Sequence, residues 1–131
     1  MKIKTADLIG PALDWAVGVA ASMPIHVSKQ TKFPTFNKVL CRMGDDDSTD
    51  FRAYTPSSNW SQGGPIIERE MINVKSNLAR MREHPEYDWW ADCPEKRICV
   101  SFNGPTPLVA AMRCYCCSKL GNEVDVPDEL V

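Results

Sequence analysis

Apolar positions recur at helical spacing in two stretches of the chain. Leu8, Ala12, Trp15, Ala16 and Val19 fall three to four residues apart, which predicts a helix from about residue 6 to 21. Thr5 is a cap for it and Asp7 lies in its first turn. Gly10-Pro11 restarts or bends it, and Pro24 lies beyond its end. The second stretch runs from Pro107 to Leu120 and is apolar almost all round, which places it in the core. Thr106 caps it, Pro107 takes its first position, Lys119 falls in its last turn and Gly121 stops it.

Between these helices the pattern is extended and short. Lys2–Lys4, Ile25–Val27, Val39–Arg42 and Phe51–Tyr54 read as strands. Ile66–Val74 is taken as a strand too, because a Gly-Gly-Pro entry suits extended chain. Tyr87–Cys93 and Arg97–Phe102 read as a hairpin turned by Pro94-Glu95-Lys96. Lys29–Lys38 is polar, Gly44–Ser48 is a solvated loop, and Ser76–Pro85 is a loop or one helical turn. Most connections are local. The expected fold is therefore α+β: a small, mainly antiparallel sheet of four to five strands with two main helices packed on one face. No repeat or linker divides the chain, so residues 1–131 form a single domain.

Composition narrows the function. The 44% apolar content supports an ordinary core. A formal net charge of −2 lacks the basic excess of a general nucleic-acid binder. The longest uncharged stretch, Trp15–Val27, is broken by Pro24 and falls short of the roughly 20 residues a membrane helix needs. The N-terminus lacks a secretory pattern, so the chain is expected in the cytosol. There its cysteines Cys41, Cys93, Cys99, Cys114, Cys116 and Cys117 are expected to stay reduced and pack as small apolar side chains. Cys114 and Cys117 form a C-x-x-C, but it lies in a helical pattern with no second tight pair, so neither metal nor other cofactor is expected. Asp45-Asp46-Asp47 lacks the alternation and distal glutamate of a calcium loop.

A few residues stand out as ligand-facing. Tyr54 and Trp60 bracket a turn-rich run that holds Ser57, Asn59, Gly63 and Gly64. Aromatic faces stack on bases, and glycines let a ligand approach the backbone. Arg113 is a lone cation within the apolar C-terminal helix. It needs an acid, for which Asp14, Glu68 and Glu70 are available, or solvent, or an anionic ligand. Trp89-Trp90 on a strand must face opposite sides, so one is a potential interface anchor. No nucleophile–base pair, nucleophile elbow or phosphate loop is visible, so no turnover is expected.

The sequence resembles the NinX family of tailed bacteriophages. The residues that carry the resemblance are Lys4–Gly10 with Ala12–Val17, Tyr54–Glu70, Gly104–Tyr115, Ser118–Gly121 and Val124–Pro127. The resemblance implies a phage accessory protein expressed in the cytoplasm of an infected bacterium, and it implies no named activity. The Tyr-x-Pro-Ser turn and its tryptophan are also similar to small phage proteins that sequester nucleotide signals of host defence. Together these readings give the expected function: non-enzymatic binding of a small anionic, nucleotide-like ligand at Tyr54, Ser57, Asn59, Trp60, Gly63, Gly64 and Arg113. The alternative is an interaction module that inhibits or redirects a host protein through an exposed tryptophan and the acidic tail. Either reading admits a homo-oligomer that builds a site between subunits.

Overall fold

Helix α3 (Pro107–Leu120) forms as its end signals dictate. The Thr106 hydroxyl accepts the Val109 N–H at 3.1 Å, proline takes the first turn, and Gly121 closes the end at φ 88°. The computed structural model describes residues 1–28, 39–45, 47–77, 88–93 and 101–131. Leu108–Met112 and Cys114–Cys117 are all buried, so α3 is the centre of the core.

Helix α1 (Gly10–Ala20) packs along α3. The single helix expected from about residue 6 to 21 is instead two pieces. Thr5–Asp7 is a 3-10 turn, and Ile9 is fully extended before Gly10-Pro11 starts α1. The Thr5 hydroxyl donates to the Gly121 carbonyl at 2.6 Å rather than capping a helix, which ties the 3-10 turn to the end of α3.

One sheet of four to five strands was the expectation. The described residues form three small antiparallel sheets instead. Strand β1 (Lys2–Lys4) pairs with β8 (Glu123–Asp125), and the Met1 ammonium reaches Asp125 at 3.0 Å and Asp128 at 3.2 Å. Strands β2 (Ile25–Val27), β3 (Val39–Arg42) and β4 (Phe51–Ala53) form the second sheet, against α1. Strands β5 (Asn73–Ser76), β6 (Trp89–Asp92) and β7 (Phe102–Gly104) form the third, against α3. The physical reason is length. In the second and third sheets, strands of three or four residues pair with their neighbours in sequence and then bury one face on the nearest helix. The broad α+β class holds, while packing of both helices on one face of one sheet does not. The expected turn at Pro94–Lys96, the segment Lys29–Lys38 and nearly all of Ser76–Pro85 lie outside the described residues.

The largest correction concerns Ile66–Val74. Helix α2 (Trp60–Arg69) covers its first part, and extended chain resumes only at Asn73. Gly64-Pro65 lies inside α2 rather than opening a strand. A residue before proline is normally driven from helical geometry by its own Cβ, and Gly64 has none. Cys117 is a further correction: it is disulfide-bonded, whereas Cys41, Cys114 and Cys116 carry free thiols. The expectation of reduced cysteines rested on compartment alone, which says nothing of which sulfurs the fold brings together.

Candidate functional site

The turn from Tyr54 to Gly64 is fixed from within. The Gln62 side chain reaches back along the chain: its carbonyl accepts the Thr55 N–H at 2.7 Å, and its amide donates to the Ala53 carbonyl at 3.0 Å. Asn59 caps α2 by accepting the Ser61 N–H at 2.9 Å. The Gln62 and Gly63 N–H groups both donate to the Asn59 carbonyl. These N–H groups at the helix start are thus already occupied, which leaves them unavailable to an anion.

The expected site residues part company here. Tyr54 is 6% exposed and belongs to the core, where burial raises its phenol far above the ordinary range. Ser57 is buried and donates its N–H to Asp14 at 2.8 Å. Asp14 itself is buried, and desolvation raises its carboxyl against the opposing pull of the Ser57 hydrogen bonds. Gly63 faces inward: a Cβ there would meet the Pro56 carbonyl oxygen at 2.4 Å and Leu108 Cδ2 at 2.7 Å. Trp60 alone projects strongly, at 56% exposure, with Gly64 beside its ring.

Arg113 is half-buried and held by backbone. Its Nε donates to the Leu8 carbonyl and its Nη1 to the Asn103 carbonyl, both at 2.8 Å. Of the expected acid partners, Asp14 is engaged with Ser57, Glu70 with Arg69 and Lys119, and Glu68 is exposed. Burial lowers the guanidinium's proton affinity, and Asp7 is the acid whose charge offsets this. Arg113 thus joins the 3-10 turn, β7 and α3.

A different feature emerges on α2. Trp60, Gly64 and Ile67 are spaced i, i+4 and i+7, which puts them on one side of the helix, and Met71 lies just past its end with a left-handed backbone. Trp60 and Met71, 65% exposed, bracket a half-buried Ile67, while Gly63 and Ile66 face the core. The sequence hides the ridge because the Gly-Gly-Pro entry makes Ile66–Val74 read as a strand. Its helical spacing was the signal that would have found it.

Two concavities on the described surface have other linings. One, of about 390 Å³, lies among Met1, Trp15, Asp125, Val126, Pro127 and Asp128. The acidic tail is therefore part of the fold, with two of its carboxylates on the Met1 ammonium. The other, of about 250 Å³, is lined by Lys75, Ser76, Asn77 and Trp90, with the Lys75 ammonium 5.4 Å from the Trp90 ring centroid. Trp89 and Trp90 face opposite sides of β6, as strand geometry requires, and both are half-buried. Asp88 and Asp92 alternate with Trp90 on its face, and the Oδ1 of each is sealed from solvent with no hydrogen-bond partner among the described residues. Among the described residues, no cluster of three or more potential metal ligands occurs. No helix among them is long and apolar enough to cross a membrane.

The family model described as bacteriophage P22, NinX, matches residues 4–119. No curated protein matches the chain.

Proposed function

We propose, from the premise that the chain belongs to the NinX family of phage proteins, that it acts without turnover as a docking module for another protein. The observation that carries this reading is the ridge formed by the exposed Trp60 and half-buried Ile67 on α2 and the exposed Met71 just past its end. Aromatic residues and methionine are enriched where proteins meet, and an exposed tryptophan on a rigid element is the usual form of an anchor. Here the element is rigid because Asn59 and Gln62 fix its start. A complementary partner presents an apolar groove that takes the indole.

The test is capture of partners by the tagged chain from infected cells, followed by titration of the purified partner against wild type and Trp60→Ala. An anchor of the hot-spot kind makes the variant bind about 30-fold more weakly, or worse, the equivalent of about 2 kcal/mol. Equal affinity for the two proteins, with α2 intact by circular dichroism, would remove the ridge from consideration.

A second reading keeps the small anionic, nucleotide-like ligand, with sequestration of a host-defence signal as its purpose. The concavity at Lys75 and Trp90 favours it, since it offers an ammonium and an aromatic face within one opening. It ranks second because Asp88 and Asp92 share that face of β6 and oppose an anion. Calorimetry with cyclic and linear nucleotides distinguishes the two. Binding lost on Trp90→Ala and kept on Trp60→Ala would select the ligand reading.

A further inference from the structure

The β5–β6–β7 sheet has an apolar face and a polar one. Val74, Trp89, Ala91 and Phe102 lie on the face packed against α3 and the core. Register sets the other face. Lys75 and Asn103 are the partners of Trp90 on its two sides, Asn73 is the partner of Asp92, and Asp88 precedes Trp90 by two residues. Partners in an antiparallel pair share a face about 5 Å apart, and residues two apart on one strand share it about 7 Å apart. One indole thus lies at the centre of a face that is otherwise polar among the described residues. Lys75 and Asn73 are exposed, Trp90 and Asn103 half-buried. The concavity of about 250 Å³ opens beside the indole. The face is also held from behind, where Arg113 Nη1 donates to the Asn103 carbonyl at 2.8 Å and ties β7 to α3.

The charges on this face select its ligand. Asp88 and Asp92 each bury an Oδ1 with no hydrogen-bond donor among the described residues, so an anion brought here meets uncompensated negative charge. Lys75 opposes a cation beside the ring. A neutral ligand meets neither obstacle. An indole set among amides takes C–H groups on its ring, while the amides donate to and accept from polar groups at the ring's edge. Sugars are the neutral class that carries flat C–H patches rimmed by hydroxyls.

We propose that the outer face of this sheet binds a neutral sugar, with one pyranose ring stacked on Trp90 and its hydroxyls bonded by Asn103 on one side and Lys75 on the other. The site stands apart from the α2 ridge and uses no residue of it. The Lys75 ammonium lies 5.4 Å from the indole centroid. Its side chain is exposed and long, and a cation–π contact at the surface is weak, so it yields the ring to sugar C–H groups and turns to a hydroxyl. A free sugar and the end of a glycan chain present the same chemistry to this face.

The experiment uses the full chain. It is passed over an array of neutral glycans that end in glucose, galactose or N-acetylglucosamine. The best-bound glycan is then titrated by calorimetry, both as a soluble oligosaccharide and as the methyl glycoside of its terminal unit. The expected result is saturable binding with Kd below about 1 mM, unchanged by added salt because the ligand is uncharged. Trp90→Ala weakens it about tenfold or more, and Trp90→Phe, which keeps an aromatic face, restores most of the loss. Asn103→Ala weakens it about threefold. Lys75→Ala has a smaller effect, and Trp60→Ala has none. Equal affinity for glycoside and oligosaccharide assigns the site to a free sugar, and tighter binding of the oligosaccharide assigns it to a glycan chain; either supports the proposal. The wild-type array decides the matter even if Trp90→Ala fails to fold. Retention of no glycan by the folded wild-type chain would overturn the proposal. So would sugar affinity that Trp90→Ala and Trp90→Phe both leave unchanged, or tighter binding of a nucleotide that Lys75→Ala abolishes.

Discussion

Gly63 and Gly64 are neighbours under opposite constraints. At Gly63 a methyl group has no room: the Pro56 carbonyl oxygen is backbone and cannot swing aside, and Leu108 fills the other side. Gly63→Ala is expected to destabilise the protein by about 1–3 kcal/mol, the cost of overpacking a filled core. At Gly64 the nearest atom is Trp60 Cε3 at 3.8 Å, an ordinary contact. There the helical gain of alanine and its clash with the following proline oppose each other, so Gly64→Ala stays within about 1 kcal/mol of wild type. Urea denaturation of the two variants measures the contrast, and equal losses would refute the packing argument. Arg113 obeys a different rule, that of polar satisfaction. Removing it orphans the Leu8 and Asn103 carbonyls, which face it from two separate elements. Arg113→Ala is expected to cost about 2–3 kcal/mol, within the range for bonds to charged groups. Arg113→Lys recovers only part of this, because an ammonium is a single point and the two carbonyls need the spread of a guanidinium. Full recovery by lysine in the same denaturation experiment would show that charge, and not geometry, is what the site requires.

Helices α2 and α3 differ in how openly the chain announces them. At α3 each end signal is the common residue for its position: threonine before proline at the start, glycine at the stop. Its side chains are apolar almost all round because nearly every face of it is covered, and both facts are readable in the sequence. At α2 the signals are uncommon. A proline lies inside, two glycines precede it, and the end is closed by Met71. That end is a Schellman motif. The Ile72 N–H donates to the Ile67 carbonyl and the Met71 N–H to the Glu68 carbonyl, with Met71 itself left-handed at φ 53°. Glycine is the usual residue there, so its absence hid the end of the helix. The candidate site is hidden for the same reason: a run that reads as loop and strand does not display the helical spacing of Trp60 and Ile67. Arg113 was located as a structural pivot only in part, because its partners are main-chain carbonyls and sequence patterns do not mark those. The strain at Met71 is itself testable. Met71→Gly relieves a left-handed side chain and is expected to stabilise the protein by about 0.5–1.5 kcal/mol. A lower thermal midpoint for this variant would mean that the exposed methionine makes a contact worth more than the strain.

At the scale of the whole molecule, burial sets the response to pH, and Asp14 is the place to read it. Its carboxyl is buried between α1 and the Ser57 turn, and burial raises its pKa above the ordinary aspartate value of 3.8 despite the opposing Ser57 bonds. The sign follows from proton linkage. In the unfolded chain Asp14 ionises first as pH rises, so the unfolded state binds fewer protons than the folded one across the window between the two pKa values. The favourable contribution is complete below about pH 3.8 and is lost as pH rises through the raised folded value. Most carboxylates in folded proteins act the other way and cause acid unfolding, so the Asp14 effect is masked in the total. Asp14→Asn isolates it. The amide oxygen can still accept the Ser57 N–H, and the group no longer ionises. Tyr54 and Cys116, whose own values Asp14 helps to raise, stay neutral throughout this window and add nothing to the difference. The measurement is the difference in unfolding free energy between Asp14→Asn and wild type, taken from urea curves between pH 3 and pH 8. It is expected to shift in favour of the variant as pH rises from about 3.8 and to level off once the folded carboxyl has ionised. A difference that stays flat, or that moves toward wild type with rising pH, would mean that the Ser57 bonds outweigh desolvation and that Asp14 is an ordinary stabilising carboxylate.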